Sequence, residues 1–497
     1  MSVLYNSTRG GEKNISASEA VLKGLASDGG LFVPDHIPAL DIPLEKLADM
    51  TYQELAYEVM SRLLSDYTEE ELKYCIENAY DSKFDDKLVA PLKKTDKAYF
   101  LELFHGKTIA FKDMALSILP YLMTTAAKKN DFKGRIIILT ATSGDTGKAA
   151  MAGFADVPGT GIIVFYPKDG VSPVQERQMV TQKGENTCVV AIKGNFDDAQ
   201  TEVKRIFGDQ DMIAKAAELG YQFSSANSIN IGRLVPQVVY YAYAYAQLVK
   251  AGEIKAGDKI NITVPTGNFG NILAAHYAKL MGIPVNKLIC ASNKNKVLYD
   301  FFSTGKYDRN REFFLTSSPS MDILVSSNLE RLIFEIAGYD TDKTRGLMEQ
   351  LKSTGVYEIT ADMKAKLADM YGNYASDDEV AAAIRGVYEQ NGYIIDTHTG
   401  VGEAVYEKYV AETGDKTPTV IASTASPYKF ARSVLAAIDS KYDGHTDLEQ
   451  FDDLNAVSGV KVPGAIEEIK SAPVRHKLVV EVADMKNAVI DQLKNNI

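Results

Sequence analysis

The feature that most constrains the fold is an alternation of short apolar segments with longer, helix-like segments, which begins near residue 135. Residues 135–142, 161–167 and 187–193 are rich in isoleucine and valine, and each is followed by a polar loop and a run with helical character. Continuous apolar strands separated by helices are typical of parallel sheets that are covered on both faces. The sequence therefore predicts an α/β protein.

A second block of the same kind follows. After a joint rich in glycine and lysine at 251–259, apolar segments return at 260–265, 287–292 and 419–423. Two blocks predict two doubly wound parallel-sheet domains, with a ligand between them near the carboxyl ends of the strands. We predict this division of the chain: an N-terminal region at 1–95, a smaller α/β domain at 96–250, and a larger α/β domain at 251–497 with a helical insertion at about 305–390.

Composition limits the class of partner. The chain has 497 residues and a formal net charge of −12, which argues against nucleic acid or an anionic membrane as the main partner. Cys75, Cys188 and Cys290 are widely spaced and form no CxxC pair, so we expect a reducing compartment and no metal site. The sequence shows no apolar leader and no apolar stretch long enough to span a bilayer, so we expect a cytoplasmic protein.

Lys112 is the first candidate for chemistry. It follows Ile109 and Phe111 in an apolar segment, where burying an ammonium is costly unless the group is used or neutralised. A neutral lysine amine attacks carbonyl groups, and this is the basis of Schiff-base chemistry. Taken by itself, a lysine beside an apolar run more often lays its stem on the surface and keeps its charge in water.

Two glycine-containing loops follow predicted strands. Residues 142–147 (TSGDTG) could hold a carboxylate or phosphate on backbone N–H groups, or form an ordinary turn with Asp145 or Thr146 as the helix cap. Residues 266–271 (TGNFGN) suit a phosphate cradle or a tight turn. Neither loop has the spacing of a P-loop or of a dinucleotide fingerprint.

Two further polar segments could bind a ligand. Residues 225–233 (SANSINIGR) place small polar groups before Arg233, which could grip a phosphate or carboxylate, or form helix caps and a solvated arginine. Thr424 follows the last predicted strand and could meet a heterocycle nitrogen or cap a helix. We interpret His105 and His398 as structural, and the tyrosines at 240–245 as helix packing.

Together these segments describe one cofactor. A lysine, two anion loops, a cationic anchor and a terminal threonine match the aldehyde, phosphate and ring nitrogen of pyridoxal 5′-phosphate, held between two α/β domains. The order of the segments resembles the β-family, fold type II, of such enzymes. Residues 5–10 (YNSTRG), 24–34 (GLASDGGLFVP) and 104–113 (FHGKTIAFKD), with the later motifs in the same order, resemble the threonine synthase family over almost the whole chain. The long N-terminal region and Asp145 resemble its microbial and fungal group.

The resemblance implies a reaction and a set of roles. The reaction is the conversion of O-phospho-L-homoserine and water to L-threonine and phosphate by γ-elimination and β-addition, the last step of threonine biosynthesis, catalysed by a carbon–oxygen lyase acting on phosphate. Lys112 would bind the cofactor as an imine and act as the catalytic proton shuttle. The other cofactor-binding residues would be Asp145, Gly267, Asn268, Phe269, Gly270, Asn271 and Thr424, and the substrate-binding residues Ser143, Gly144, Thr146, Asn227, Ser228 and Arg233.

Two departures from the family pattern and three alternatives stay open. Lys107 stands where the family usually has proline, and Ser426 stands where a histidine is frequent. The alternatives are another pyridoxal-phosphate lyase such as threonine dehydratase or a cystathionine-type synthase, a non-catalytic homologue, and a nucleotide-binding transferase, which the missing phosphate motifs disfavour. We expect a monomer or a weak homodimer whose partner is the small-molecule substrate.

Overall fold

Two parallel sheets carry the fold. The computed structural model describes residues 2–142, 145–171, 173–495 and 497, without the side chains of Asp145, Pro173, Val174 and Asp197. The strands in this part of the chain are β1 (Tyr5–Ser7), β2 (Phe32–Pro34), β3 (Leu92–Lys94), β4 (Tyr99–Glu102), β5 (Arg135–Ala141), β6 (Thr160–Pro167), β7 (Thr187–Lys193), β8 (Tyr221–Ser224), β9 (Ile260–Pro265), β10 (Val285–Ser292), β11 (Lys306–Asp308), β12 (Val356–Glu358), β13 (Met370–Tyr374), β14 (Thr419–Ser423) and β15 (Leu478–Glu481).

Helices surround both sheets. They are α1 (Ala17–Lys23), α2 (Leu44–Leu47), α3 (Tyr52–Leu63), α4 (Glu69–Ala79), α5 (Lys112–Leu116), α6 (Leu119–Lys129), α7 (Asp145–Phe154), α8 (Pro173–Val180), α9 (Phe196–Gly208), α10 (Gln210–Glu218), α11 (Ile231–Lys250), α12 (Gly270–Leu280), α13 (Val297–Thr304), α14 (Leu329–Ile336), α15 (Thr341–Ser353), α16 (Ala361–Ala365), α17 (Asp377–Asn391), α18 (Thr397–Thr413), α19 (Ala431–Ile438), α20 (Asp447–Ser458), α21 (Gly464–Ser471) and α22 (Met485–Lys494). Among the described residues, none of these helices is both long and apolar enough to cross a membrane.

The α/β prediction is confirmed. The smaller sheet has the order β15-β7-β6-β5-β8, and the larger sheet has the order β13-β10-β9-β14-β4-β3. The six apolar segments predicted as strands are β5, β6, β7, β9, β10 and β14, and their inward residues are fully buried, as parallel strands covered on both faces require. The carboxyl ends of the central strands carry the loops of the predicted site.

The sheets depart from the predicted division of the chain. Strand β4, from the predicted smaller domain, pairs with β14 in the larger sheet, and β15, from the predicted larger domain, pairs with β7 in the smaller one. The predicted helical insertion also supplies β13, which pairs with β10. These strands have only four or five residues, and neither β13 nor β15 contains a buried residue, so they lack the long buried run that identifies a central strand.

The N-terminal region packs on the long helix α11. Helix α3 begins with a capping box between Thr51 and Glu54, and α4 with one between Thr68 and Glu71. Tyr52 of α3 makes an edge contact with Tyr243 of α11, with ring centroids 5.3 Å apart. Because α11 begins beside the predicted substrate loop, the N-terminal region supports the site through this helix.

Candidate active site

Lys112 and Thr424 are brought together by a short backbone pairing. Phe111 N donates to Thr424 O at 2.8 Å, and Ser426 N donates to Ile109 O at 3.0 Å. Ile109 takes a left-handed conformation with φ of 52°, which is strained for a β-branched residue. The chain therefore turns sharply into α5, whose first residue is Lys112. The lysine is 9% exposed and Thr424 is 5% exposed, so both lie in a buried pocket.

Asp113 fixes the loop that precedes the lysine. Its carboxylate accepts from Thr108 N at 2.7 Å and from Thr108 Oγ1 at 2.6 Å. Burial raises the pKa of Asp113, while the Thr108 hydrogen bonds and the charge of Lys429 oppose that shift. A Cβ atom on Gly106 would lie 2.5 Å from the Asp113 side chain, so the glycine makes this close approach possible. Lys107, which stands where the family usually has proline, is an exposed residue of the same loop.

The loop at 266–271 presents an uncapped helix end. Phe269 has φ of 66° and precedes α12, whose first turn has no side-chain cap. Asn271 Oδ1 accepts from Tyr240 Oη at 2.6 Å and from Tyr241 Oη at 2.5 Å. Its Nδ2 is buried and has no hydrogen-bond partner among the described residues. A buried donor without an acceptor is costly, and a phosphate oxygen at the helix end would satisfy it.

The tyrosines of α11 therefore have a role beyond packing. They were predicted to pack the helix, and they are buried there. Tyr240 and Tyr241 also orient Asn271 so that its amide nitrogen, and not its oxygen, is left for a ligand. This contact was not predictable from the sequence, because it joins residues 30 and 31 positions apart on two different helices.

Arg233 is a buried cation. It is 3% exposed, and its Nη1 donates to Ala226 O at 2.8 Å. Its Nε has no partner among the described residues, and no acidic side chain described there contributes to its pKa shift. Burial lowers the pKa of Arg233 to about 10, because the charged form is poorly hydrated. Such a guanidinium is suited to an anionic ligand.

The other predicted substrate-binding residues differ in their exposure and in how far the structure describes them. Ser143 and Gly144 lie outside the described residues, and for Asp145 the structure shows only that it begins α7. Thr146 is half-buried in the first turn of that helix, and Asn227 is exposed in the loop before α11. Ser228 lies nearer the cofactor loop, because its Oγ accepts from Asn328 Nδ2 at 3.4 Å. Their substrate roles remain predictions.

Ser426 has a structural contact. Its side chain is 4% exposed, and its Oγ accepts from Tyr428 N at 3.4 Å, which caps the short helical turn after β14. A serine is well suited to this capping position. The residue that replaces the frequent histidine of the family therefore shapes the chain immediately after Thr424.

The sequence did not predict the segment that covers this pocket. Residues 316–328, here called the strap, run between α13 and α14 without regular periodicity. Lys112 Nζ donates to Ser320 Oγ at 3.1 Å, Ser326 Oγ donates to Gly267 O at 2.7 Å, and Asn328 N donates to Asn268 O at 3.0 Å. A Cβ atom on Gly267 would lie 2.8 Å from Ser320 O. This glycine therefore lets the strap approach the loop.

A second feature that the sequence did not predict is a cluster of hydrogen bonds between the N-terminal region and the start of α14. Arg331 is fully buried, and it donates through Nε to Phe32 O at 2.9 Å and through Nη2 to Ile229 O at 2.6 Å. The neighbouring Glu330 accepts from Arg9 Nη2 at 2.8 Å and from Thr8 Oγ1 at 2.6 Å. The motif at 5–10, which carried part of the resemblance, thus reaches the start of α14.

The donor set fits pyridoxal 5′-phosphate. Lys112 could hold an aldehyde, the uncapped start of α12 with Asn271 Nδ2 could hold a phosphate, and Thr424 could meet a ring nitrogen. This fit rests on the orphaned Asn271 donor and on the uncapped helix end. Among the described residues, no group of three or more histidine, cysteine or acidic side chains could hold a metal ion.

Comparison with known proteins identifies the family of the chain. Residues 89–425 match the family model "Pyridoxal-phosphate dependent enzyme", which gives the class of protein that the fold and the lysine pocket define. Residues 4–80 match "Threonine synthase N terminus", and residues 399–489 match "Threonine synthase, C-terminal". The chain belongs to the threonine synthase family of pyridoxal-phosphate dependent enzymes.

Individual relatives support the same family. Threonine synthase of Saccharomyces cerevisiae is 35% identical over 98% of this chain and 99% of its own length. The crystal structure of pyridoxal-phosphate-bound threonine synthase from Brucella melitensis has a TM-score of 0.87 and 33% identity, and covers 99% of both chains. Threonine synthase-like 1 of Homo sapiens is 42% identical over 88% of this chain, which spans 61% of that relative's length.

Proposed function

We propose that this protein is a threonine synthase, which converts O-phospho-L-homoserine and water to L-threonine and phosphate by pyridoxal-phosphate-dependent γ-elimination and β-addition. The observation that carries the proposal is a pair of buried hydrogen-bond donors that have no partner among the residues that the structure describes and lie at the starts of two different helices. Asn271 Nδ2 at the start of α12 and Arg233 Nε at the start of α11 are both buried donors without partners in the described chain. A phosphorylated cofactor and a phosphorylated substrate need two such sites.

The two anion sites are joined by hydrogen bonds. Tyr240 Oη donates to Asn271 Oδ1 at 2.6 Å and lies 3.0 Å from Gln237 Oε1, and Gln237 Nε2 donates to Arg233 O at 2.7 Å. One face of α11 therefore connects the side chain of Asn271 to the backbone of Arg233. We assign the α12 site to the cofactor phosphate, with Gly267, Asn268, Phe269, Gly270 and Asn271 as its cradle.

We assign the Arg233 site to the phosphate of the substrate. Asn227 and Ser228 lie in the loop that leads into α11, and Ser143, Gly144 and Thr146 belong to the loop before α7, where a helix N-terminus favours the substrate carboxylate. Asp145 would lie beside the cofactor, and Thr424 would meet its ring nitrogen. The buried, carboxylate-free surroundings of Arg233 strengthen its attraction for a dianionic phosphate.

Lys112 is the proton carrier in this proposal. When bound, pyridoxal 5′-phosphate supplies the electron sink that makes the Cα and Cβ protons of the substrate acidic. Lys112 Nζ would remove the Cα and Cβ protons and deliver protons to Cα and to the γ carbon, which becomes the methyl group of threonine. The lysine is suited to this role because it is buried and begins α5 directly after a hydrogen-bonded loop. The strap limits the access of water from its side of the pocket.

The reaction test compares substrates. Purified protein with pyridoxal 5′-phosphate is incubated separately with O-phospho-L-homoserine, L-serine and L-threonine, and threonine, phosphate and 2-oxo acids are measured. We expect threonine and phosphate in equal amounts from phosphohomoserine alone. Formation of a 2-oxo acid from serine or threonine, without conversion of phosphohomoserine, would instead support the dehydratase alternative.

We further propose that the enzyme works in the cytoplasm as a monomer or weak homodimer. Its three cysteines are free and buried, which suits a reducing compartment. Light scattering of the purified protein across a concentration series measures the oligomeric state, and a stable tetramer would contradict that part of the proposal.

A further inference from the structure

The hydrogen bonds of His398, a buried residue near Ser320, define the tautomer of its imidazole ring. It is 4% exposed and lies in the first turn of α18. Its Nδ1 lies 2.9 Å from Asp396 Oδ2, and its Nε2 accepts the backbone N–H of Ser320 at 3.1 Å. Because Nε2 accepts, the ring proton is on Nδ1 and points to Asp396. The histidine is thus a neutral acceptor that holds one residue of the strap.

The strap has a second anchor on the other side of Ser320. Asp322 Oδ1 accepts from Asn293 Nδ2 at 2.7 Å, from Asn295 Nδ2 at 3.1 Å and from Thr316 Oγ1 at 2.7 Å. The turn at Pro319–Met321 is therefore fixed by Asp322 from one side and by His398 from the other. Its middle residue, Ser320, directs its hydroxyl to Lys112 Nζ.

We propose that Ser320 is the positioning residue for the Lys112 amine during turnover, and that the His398 and Asp396 pair holds Ser320 in place. The inference rests on the proposed function, which requires Lys112 to leave the cofactor and then carry protons. A neutral amine has two N–H groups and one lone pair. When one N–H donates to Ser320 Oγ, the rotation of the amine is restricted and its lone pair can be directed at the substrate. Ser320 keeps its own proton, and Lys112 takes up one proton and returns it.

The geometry explains why a hydroxyl serves here. A carboxylate at this position would pair with the amine and keep it charged, and an apolar side chain would remove the hydrogen bond that the amine donates here. Ser320 Oγ offers a neutral acceptor at hydrogen-bond distance. Misplacement of a reacting group by about 1 Å can cost on the order of 100-fold in rate, so loss of this contact should affect proton transfer more than binding.

The test uses the holoenzyme and three strap variants: Ser320→Ala, Ser320→Thr and the control Ser317→Ala. Ser317 lies in the same strap but donates its hydroxyl to Asp377 at 2.7 Å, away from Lys112. The readouts are exchange of the substrate Cα proton in D₂O by NMR, kcat and KM with O-phospho-L-homoserine, cofactor absorbance, and Tm. Exchange is followed with both L-serine and phosphohomoserine.

We expect Ser320→Ala to slow Cα proton exchange and kcat by about 10-fold to 100-fold, with KM, cofactor content and Tm near those of the wild type. Ser320→Thr should recover most of the rate, and Ser317→Ala should behave as the wild type. Exchange at the wild-type rate in Ser320→Ala would overturn the proposal. A lower Tm together with a lower cofactor content in Ser320→Ala, neither of them restored in Ser320→Thr, would also overturn the proposal, because it indicates a structural role.

A double mutant tests the part played by His398. His398→Leu removes the acceptor of the Ser320 N–H. We therefore expect this variant, like Ser320→Ala, to exchange the substrate Cα proton more slowly than the wild type. Combined with Ser320→Ala, it should add little further loss, because both act on one contact. Full additivity would overturn the assignment of His398. If the wild type exchanges the Cα proton of serine but releases no phosphate from phosphohomoserine, the proposed reaction fails while the role of Ser320 can still be measured.

Discussion

At the scale of single residues, Lys112 is distinguished from its neighbour Lys107 by its surroundings. Lys112 is buried against Phe111 and Ser320, whereas Lys107 is exposed in the preceding loop. We predict that Lys112→Ala abolishes the visible absorbance of covalently bound cofactor and the formation of threonine. Lys107→Ala should retain both. Absorption spectra and phosphate release measure these outcomes, and turnover by Lys112→Ala at the wild-type rate would exclude it as the catalytic lysine.

Arg233 gives a second prediction at this scale. Hydrogen bonds to charged groups contribute about 1.5–3 kcal/mol, so we expect Arg233→Ala to raise KM for phosphohomoserine by roughly 10-fold to 100-fold. The dissociation constant of pyridoxal phosphate should change much less, since that phosphate is assigned to the α12 site. Arg233→Lys keeps the charge but loses the planar fork, so we expect an intermediate KM. Equal losses of cofactor and substrate affinity would rule out a selective role.

At the scale of elements, the loop between β4 and α5 depends on His105. This histidine lies 2.6 Å from Asp85 Oδ1 and 3.0 Å from Glu102 Oε2. Burial lowers the pKa of His105, but the hydrogen bonds to Asp85 and Glu102 outweigh it and raise the pKa to about 9. The protonated ring therefore connects the end of β4 to the segment between α4 and β3.

The raised pKa of His105 predicts how stability changes with pH. A raised folded pKa gives stability that is complete below the unfolded value of about 6.5 and is lost as the pH rises through about 9. We expect His105→Gln to lower the free energy of unfolding by roughly 2 kcal/mol at pH 6 and by much less at pH 10. Denaturant unfolding at both pH values measures this, with His36→Gln, at an exposed histidine, as the control. A constant difference across the range would contradict it.

How far the sequence predicts an element depends on how continuous its apolar run is. Strands such as β6 consist almost entirely of buried apolar residues, and the sequence predicted them correctly. Strand β13, with the sequence MYGNY, is only half-buried, and its neighbourhood was interpreted as helical. The motif loops were predictable because their residue types are unusual at strand ends. The strap was not, because it is held by contacts such as that between Asp322 and Asn293, which join distant parts of the chain.

At the scale of the whole molecule, the site is assembled from all parts of the chain. The lysine loop follows β4, Thr424 follows β14, the donors proposed to bind anions lie on α11 and α12, and the strap covers them. Asn328 contacts both Asn268 and Ser228, so the strap also joins the two loops that are proposed to bind anions. The N-terminal region reaches the same place through Arg331 and Glu330. Stability of that junction should therefore affect the site.

The ion pair of Arg9 and Glu330 allows this coupling to be measured. The Glu330 side chain is 6% exposed and the Arg9 side chain 28% exposed, so removing one partner leaves a largely buried charge. Breaking a buried pair typically costs about 3–5 kcal/mol, and we expect about 2–3 kcal/mol for Arg9→Met because Arg9 is partly solvated. Lys23→Met breaks the exposed contacts of Lys23 with Glu12 and Glu19 and should cost less than about 1 kcal/mol.

The same variants test whether the N-terminal region supports the substrate loop. Because Arg331, beside Glu330, donates to Ile229 O, loosening this junction should raise KM for phosphohomoserine more in Arg9→Met than in Lys23→Met. Unfolding curves and steady-state kinetics on the two variants provide both quantities. A large loss of stability in Arg9→Met with an unchanged KM would show that the N-terminal region stabilises the fold without shaping the substrate site.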